Sequence, residues 1–286
     1  MYNAKMRKFF TLLLLITLLN QPVFAWSWNN WNSDEKAITT VFKKQVKYAN
    51  KNDLDKFIKT YDTKFVNGDG FNLDVYSSLI QDVWKTYDNI EYDIDIKDIK
   101  VENNKATVKL VEKSYAELVA NKAYEGELQS EANTICYLEK INGVWKITSD
   151  KVVDETTSIL YGTAKGLDIK LTVPQVIEAN KDYTVALEFT PPKETVAIAS
   201  ITSEIVEYPQ KTSKEVFRAL PEDNILERIF TSNSDNANEY IVASIGLTKT
   251  SICDLNLQLS LTGFGYTIKR VNVIANNKEE KNEQKQ

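Results

Sequence analysis

The sequence predicts an α+β unit, three helices on a curved antiparallel sheet, followed by an all-β sandwich. Three observations lead there. Between Asp34 and Thr86 apolar residues recur at helical spacing, and from Ile90 onward they alternate with polar ones. Composition breaks near residue 160: the tryptophans (26, 28, 31, 84 and 145) all precede it. Prolines 174, 191, 192, 209 and 221 all follow it.

The chain opens with Lys5, Arg7 and Lys8, an apolar run from Phe9 to Leu19, and Val23-Phe24-Ala25. A basic start, a short apolar core and a small-x-small exit predict a secretory signal peptide over residues 1–25, cut before Trp26. The core is too short for a spanning helix of about 20 residues. Trp26 stands where a lipoprotein would carry Cys, so no lipid anchor and no later transmembrane segment are expected. The expected destination is the periplasm or the extracellular space, and the lack of Asn-x-Ser/Thr sequons fits a bacterial envelope. Loss of Lys5, Arg7 and Lys8 takes Lys+Arg from 35 to 32 against 40 Asp+Glu, a net of −8. That acidic balance argues against nucleic acid as a partner.

Residues 26–33 form a Trp-rich segment, WSWNNWNS, that reads as a lid on its own protein or an anchor in a partner groove. Ser33 is a plausible N-cap, with Asp34 and Glu35 in the first turn. Ile38, Val41, Phe42 and Val46 follow at helical spacing. Asn52-Asp53 caps a second helix, Leu54 to Tyr61, and the turn Asn67-Gly68-Asp69-Gly70 leads to a third near Leu73 to Thr86. Ile90, Tyr92, Ile94 and Ile96 begin the first strand, Asn103-Asn104 turns, and Ala106, Val108 and Leu110 begin the second. Tyr124 to Glu139 reads as a long strand, Asn142-Gly143 as a hairpin turn, and Val144 to Val153 as the closing strand.

In this order of elements, together with "FIKTYDTKFVNGDG" and "LEKINGVWKIT", residues 34–155 resemble the nuclear transport factor 2-like superfamily, with its polyketide-cyclase-like and ketosteroid-isomerase-like folds. The resemblance implies a cone with a pocket between the curved sheet and the helices. It implies no single function, because that fold serves enzymes, binders and assembly modules.

A linker is expected over residues 156–166, TTSILYGTAKG, and then a sandwich over 167–275. Its candidate strands are Leu167–Val173, Tyr183–Phe189, Val196–Ile205, Ile225–Phe230, Tyr240–Leu247, Ile252–Leu261 and Tyr266–Ile274. That count suggests an immunoglobulin-like architecture, without the Cys-Trp-Cys hallmark. Residues 276–286, NNKEEKNEQKQ, read as a disordered polar tail.

Histidine is absent, which excludes Ser-His-Asp and Cys-His mechanisms and His-ligated zinc. Cys136 and Cys253 lie on apolar faces of different sheets and read as buried free thiols. Asn67, Asp69 and Asp74 resemble a calcium loop, but the spacing fails and no Glu closes it, so a solvated turn is expected and no metal. No cofactor is expected either.

The best pointer to a pocket is the long strand, whose inward face runs Leu128, Ser130, Ala132, Thr134, Cys136, Leu138. Small residues in the middle of a core face either meet large partners or line a cavity. The expected ligand-binding set is Tyr61, Asp62, Tyr76, Trp84, Tyr92, Glu112, Ser114, Ser130 and Thr134, with no catalytic residue. Glu112 is expected at the rim and Asp62 in a turn, both with ordinary acidity.

The function these features favour is an exported, non-catalytic binding or assembly protein. Its cone holds a small apolar ligand or peptide, and its sandwich supports it or adheres to an envelope partner. One alternative is an isomerase- or dehydratase-like enzyme using Glu112 or Asp62 with Tyr61. Such carboxylate and Tyr chemistry needs no histidine. Another is a structural scaffold with a filled cone.

Overall fold

The helices form where the spacing and caps dictate. The computed structural model describes residues 33–87, 89–120, 124–253 and 256–276, the side chains of 251–253, 256 and 257 excepted. The signal-peptide segment, Trp26 to Trp31, the Cys253 side chain and the tail from 277 lie outside the described residues. Helix α1 (Ser33–Ala49) buries Ile38, Phe42, Gln45 and Ala49 on one stripe. Helix α2 (Leu54–Phe57) starts at Asp53, whose carboxylate accepts from the Lys56 backbone N–H at 3.2 Å, and tightens into a 3₁₀ turn over Ile58–Thr60. Helix α3 (Leu73–Thr86) is capped by Asn72, which accepts from the Val75 N–H at 3.0 Å.

Four long strands follow as an antiparallel meander: β1 (Glu91–Glu102), β2 (Lys105–Ala120), β3 (Tyr124–Ile141) and β4 (Val144–Gly162). Asn142 and Gly143 both adopt positive φ, 49° and 80°, as the tight β3–β4 turn requires. Register shifts at Ile96/Asp98, Asn133/Thr134 and Tyr137/Leu138 bend the strands and increase their twist.

The sheet does not stop there. Antiparallel pairing carries it from β4 to β12 (Asn256–Ile274), β11 (Glu239–Cys253), β8 (Val196–Ile205) and β9 (Arg218–Ala219), with β6 (Val176–Glu178) parallel to β12. A second sheet is ordered β10 (Ile225–Thr231), β7 (Asp182–Glu188), β5 (Lys170–Thr172). Leu171, Tyr183, Val185, Leu187 and Leu226 of this sheet share one core with Ala199, Ile201, Ile241, Ile245 and Val271 of the large one. The first core joins α1, α2 and α3 to the other face, through Phe42, Phe57, Trp84, Val108, Leu138 and Ile147. Consecutive β4 residues divide between the two: Ile159 belongs to the first core and Leu160 to the second. Neighbouring strand residues point to opposite faces, so β4 serves both cores at once.

This continuity corrects the expected linker. Residues 156–162 lie within β4, where Thr156 pairs with Glu131 on one side and Lys269 on the other. Only 163–166 form a turn. The segment TTSILY is rich in β-branched and aromatic residues, which suit a strand paired on both edges. The strand expected over Ile252–Leu261 is split between the end of β11 and the start of β12, because apolar alternation runs through a hairpin without marking its turn. The first strand of the second half shrinks to Lys170–Thr172, and the second helix ends at Thr60 rather than Tyr61.

A strand shared by two cores should unfold with both. Limited proteolysis is expected to spare 156–162, and tryptophan emission and far-UV circular dichroism should report one coincident urea transition. Two separated transitions would mean that the halves fold independently.

Candidate functional site

The inward face of the meander and the underside of α3 enclose a cleft of about 340 Å³. Its walls are apolar: Leu79, Ile80 and Val83 from α3, Ile90, and Leu128 and Ile159 from the sheet. Its floor is polar, with Glu112, Ser114, Ser130 and Thr157 on three adjacent strands. The floor follows from register: Ser114 opposes Ser130, Ser130 opposes Thr157, and Glu112 opposes Ala132. Short side chains in one cross-strand row leave the space that α3 roofs. The Ser130 and Thr157 hydroxyls bond each other at 2.7 Å.

A smaller cavity of about 100 Å³ adjoins it and is lined by Gln45, Phe57, Tyr76, Trp84, Tyr92 and Glu112, among others. Tyr76, Ile80, Tyr92, Glu112 and Lys113 line both spaces. Tyr92 is fixed from two directions: Asn50 bonds its backbone N–H and C=O, and the Trp84 indole N–H donates to its hydroxyl at 3.2 Å. Gln45 Nε2 donates to the Tyr61 hydroxyl at 2.5 Å, while Gln45 Oε1 is buried without a hydrogen-bond partner.

Seven of the nine expected ligand-binding residues thus fall at or against these spaces, in different roles. Tyr76, Trp84, Tyr92, Glu112, Ser114 and Ser130 line them. Thr134 lies beneath, its hydroxyl donating to Glu112 Oε2 at 2.7 Å. Tyr61 is 4% exposed and packs in an aromatic cluster with Phe57, Phe65 and Tyr76 rather than lining either cavity. Asp62 is not brought to the site. Its carboxylate accepts from the Lys64 N–H at 2.8 Å, closing an Asx turn, and its backbone N–H bonds the Ile147 carbonyl.

Glu112 is not at a rim. Desolvation pushes its carboxyl above the usual Glu range, with a further rise from the charge of Glu155, while the Thr134 hydrogen bond pulls it back. The polar residues that sequence reading missed lie just beyond. Asp150 is 9% exposed, opposes Cys136 across the strands, and is pushed up to about 7 by burial, then by Glu112 and Asp69. Glu155 accepts from the Tyr240 hydroxyl at 3.1 Å and is raised by burial. Burial also pushes the Cys136 thiol well up, and it is a free cysteine.

One cation faces these acids. Arg270, 1% exposed, forms an ion pair with Asp69 and donates to Asn272 Oδ1 at 3.0 Å. Asp69 also accepts from Asn238 Nδ2 at 2.7 Å. In the Asn67-Gly68-Asp69-Gly70 turn the glycines are exposed as expected, but the Asp69 side chain is buried. Asn67 Oδ1 accepts from the Asp69 and Phe71 N–H groups, and the Gly68 N–H donates to the Asp150 carbonyl at 2.7 Å. Among the described residues no group of three or more His, Cys, Asp or Glu could hold a metal ion. No helix among them is long and apolar enough to cross a membrane.

A larger depression, about 530 Å³, lies over Glu91, Asp93, Lys113, Tyr115, Gln129, Glu131, Thr156 and Ser158. These side chains alternate with the cleft residues and so occupy the opposite, outer face of the meander. It carries charged side chains, including the exposed Lys113–Glu131 pair, and it lacks the apolar walls of the inner cleft.

No family model matches the chain, and no curated protein matches its sequence. Among solved structures it is similar to Bd1075 of Bdellovibrio bacteriovorus, at 17% identity and a TM-score of 0.34, over 41% of this chain and 39% of that one. The chain thus spans well under two thirds of Bd1075. It is similar to the hexachlorocyclohexane dehydrochlorinase LinA-type3 of Novosphingobium barchaimii, at 15% identity and a TM-score of 0.36, over 42% of this chain and 84% of that one. An NTF2-like protein with a cystatin-like fold from Novosphingobium aromaticivorans aligns at 12% identity and a TM-score of 0.35, over 49% and 86%.

Proposed function

We propose that this is an exported binding protein whose residues 34–155 form a nuclear transport factor 2-like module holding a small, mostly apolar molecule. The observation that carries the reading is the inner cleft: apolar walls from α3 and the sheet over a floor of Glu112, Ser114, Ser130 and Thr157. An apolar enclosure with a few convergent polar groups is the usual form of a small-molecule site. The element order, three helices followed by a four-stranded meander, supports the fold reading. The signal-like start supports export to a periplasm or the outside. The second half, with its two sheets around one core, then acts as a support that shares β4 with the module.

An isomerase- or dehydratase-like enzyme is the second reading, favoured by the raised acidity of Glu112 and Asp150. It is the weaker one, because the Tyr61 hydroxyl that would serve as its oxyanion donor belongs to a buried aromatic ring that lines neither cavity.

The test is a neutral fluorescent probe, N-phenyl-1-naphthylamine. Its emission should rise on binding with a Kd of about 10–200 µM, in keeping with about 0.3–0.4 kcal/mol per non-hydrogen atom. Ala132→Leu, which fills the cleft floor, should abolish the rise while leaving the unfolding free energy from urea titration within about 1 kcal/mol of wild type. A probe that stays dark with the wild-type protein, or binds Ala132→Leu equally well, rules the cleft out as the site.

A further inference from the structure

We infer that the cleft selects an amine: its ligand is a cationic amphiphile whose ammonium group is held by Glu112 and Gln45 and whose hydrocarbon part lies against α3. This deepens the binding reading above and rests on it.

The argument begins with what the two adjoining spaces offer. Both are lined by Glu112, and the smaller one also by Gln45. Gln45 Oε1 is buried and accepts nothing. Glu112 accepts one hydrogen bond, from Thr134 through Oε2, and no described basic side chain forms an ion pair with it. Its neighbour Lys113 also borders both spaces, but its ammonium group is exposed and paired with Glu131 at 3.3 Å. The site therefore offers two under-used acceptors, the half-buried Glu112 carboxylate and the buried Gln45 Oε1, beside hydroxyls that can donate or accept. Leaving such acceptors buried and unpaired is costly, and a ligand that supplies donors removes the cost. An ammonium group carries up to three N–H donors and no acceptor, whereas a carboxylate carries acceptors only.

Charge points the same way. Glu112, Asp150 and Glu155 lie close enough on the inward face that Glu112 raises Asp150 and Glu155 raises Glu112. The only basic residue that is fully buried among the described ones, Arg270, is committed to Asp69. A cation entering at Glu112 supplies the missing countercharge, and an anion meets repulsion in a poorly solvated space. The walls formed by Ile80, Val83, Leu128 and Ile159 then take an aliphatic or aromatic body.

The experiment displaces N-phenyl-1-naphthylamine with a matched eight-carbon series, octylamine, octanol and octanoate, at pH 8 and 0.15 M salt. Octylamine should displace the probe at a concentration at least about 10-fold below octanoate, with octanol between them. In Glu112→Gln the preference of octylamine over octanoate should fall below about threefold. Glu131→Gln, on the outer face, should keep the preference, which separates a local effect from that of net charge. Equal displacement by octylamine and octanoate overturns the inference, as does a preference that survives Glu112→Gln. In either case probe binding leaves the cleft itself standing. Failure of the probe to bind at all sinks the cleft, and the amine reading with it.

Discussion

Arg270→Met is expected to lower the unfolding free energy by about 3–5 kcal/mol, the usual cost of removing one partner from a buried ion pair. Arg270 on β12 meets Asp69 in the turn before α3, across 201 residues of sequence. Its loss strands the Asp69 carboxylate, whose charge already raises both Asp150 and Glu155, in a region from which water is largely excluded. Asp69→Asn should cost less. The guanidinium left behind keeps Glu155 as a countercharge, and Asn272 still accepts its Nε–H. The double variant Asp69→Asn/Arg270→Met should recover part of the loss, because it leaves no unpaired charge. Urea midpoints at constant m-value measure all three. An Arg270→Met protein within about 1 kcal/mol of wild type would show that the pair does not hold the two halves together.

That ion pair also marks where sequence reading stops. The meander was legible because each signal was local: alternation from Ile90, the positive-φ pair Asn142-Gly143, and small residues at Ser130 and Ala132. The cleft floor could be anticipated because β-strand faces follow from a period of two. Asp69 and Arg270 gave no comparable local signal. Asp69 sits in a turn whose composition reads as solvated, and its partner lies on a distant strand. A signal existed on the other side: in Tyr266, Ile268, Arg270, Asn272 a charged residue takes a place on the alternating inward face of a strand. The break in Trp and Pro usage suggested a linker, but it reflects two cores built on one sheet, and β4 passes between them without interruption. The mixed run Lys113, Ser114, Tyr115 after Glu112 reads as a rim. Only α3, folded back over the sheet, covers Glu112 and Ser114, while Lys113 and Tyr115 stay exposed on the outer face.

Asp150→Asn is expected to stabilise the protein above pH 7 and to leave it near wild-type stability at about pH 4. The Asp150 carboxyl titrates near 7 in the folded protein, raised by burial first, then by Glu112 and Asp69, and lowered in part by Arg270. In the unfolded chain it titrates near its ordinary value of 3.8. Between these two pH values the folded state holds a proton that the unfolded state has released. The unfolding free energy therefore falls as pH rises through this window, by up to about 1.4 kcal/mol per pH unit from this group. Above about pH 7 both states are ionised and the group adds no further slope, but the cost of the buried carboxylate persists in full. Integrated across the window that cost is about 2–4 kcal/mol. An amide of nearly the same shape carries no charge at any of these pH values, so its advantage should grow from about zero near pH 4 to that amount at pH 8. Glu112 and Glu155, raised in the same direction, keep some downward slope in the variant. Paired urea titrations at pH 5, 6, 7 and 8 measure the difference. A gap between the two proteins that stays constant across this range would mean that Asp150 ionises in the folded state at its ordinary pH.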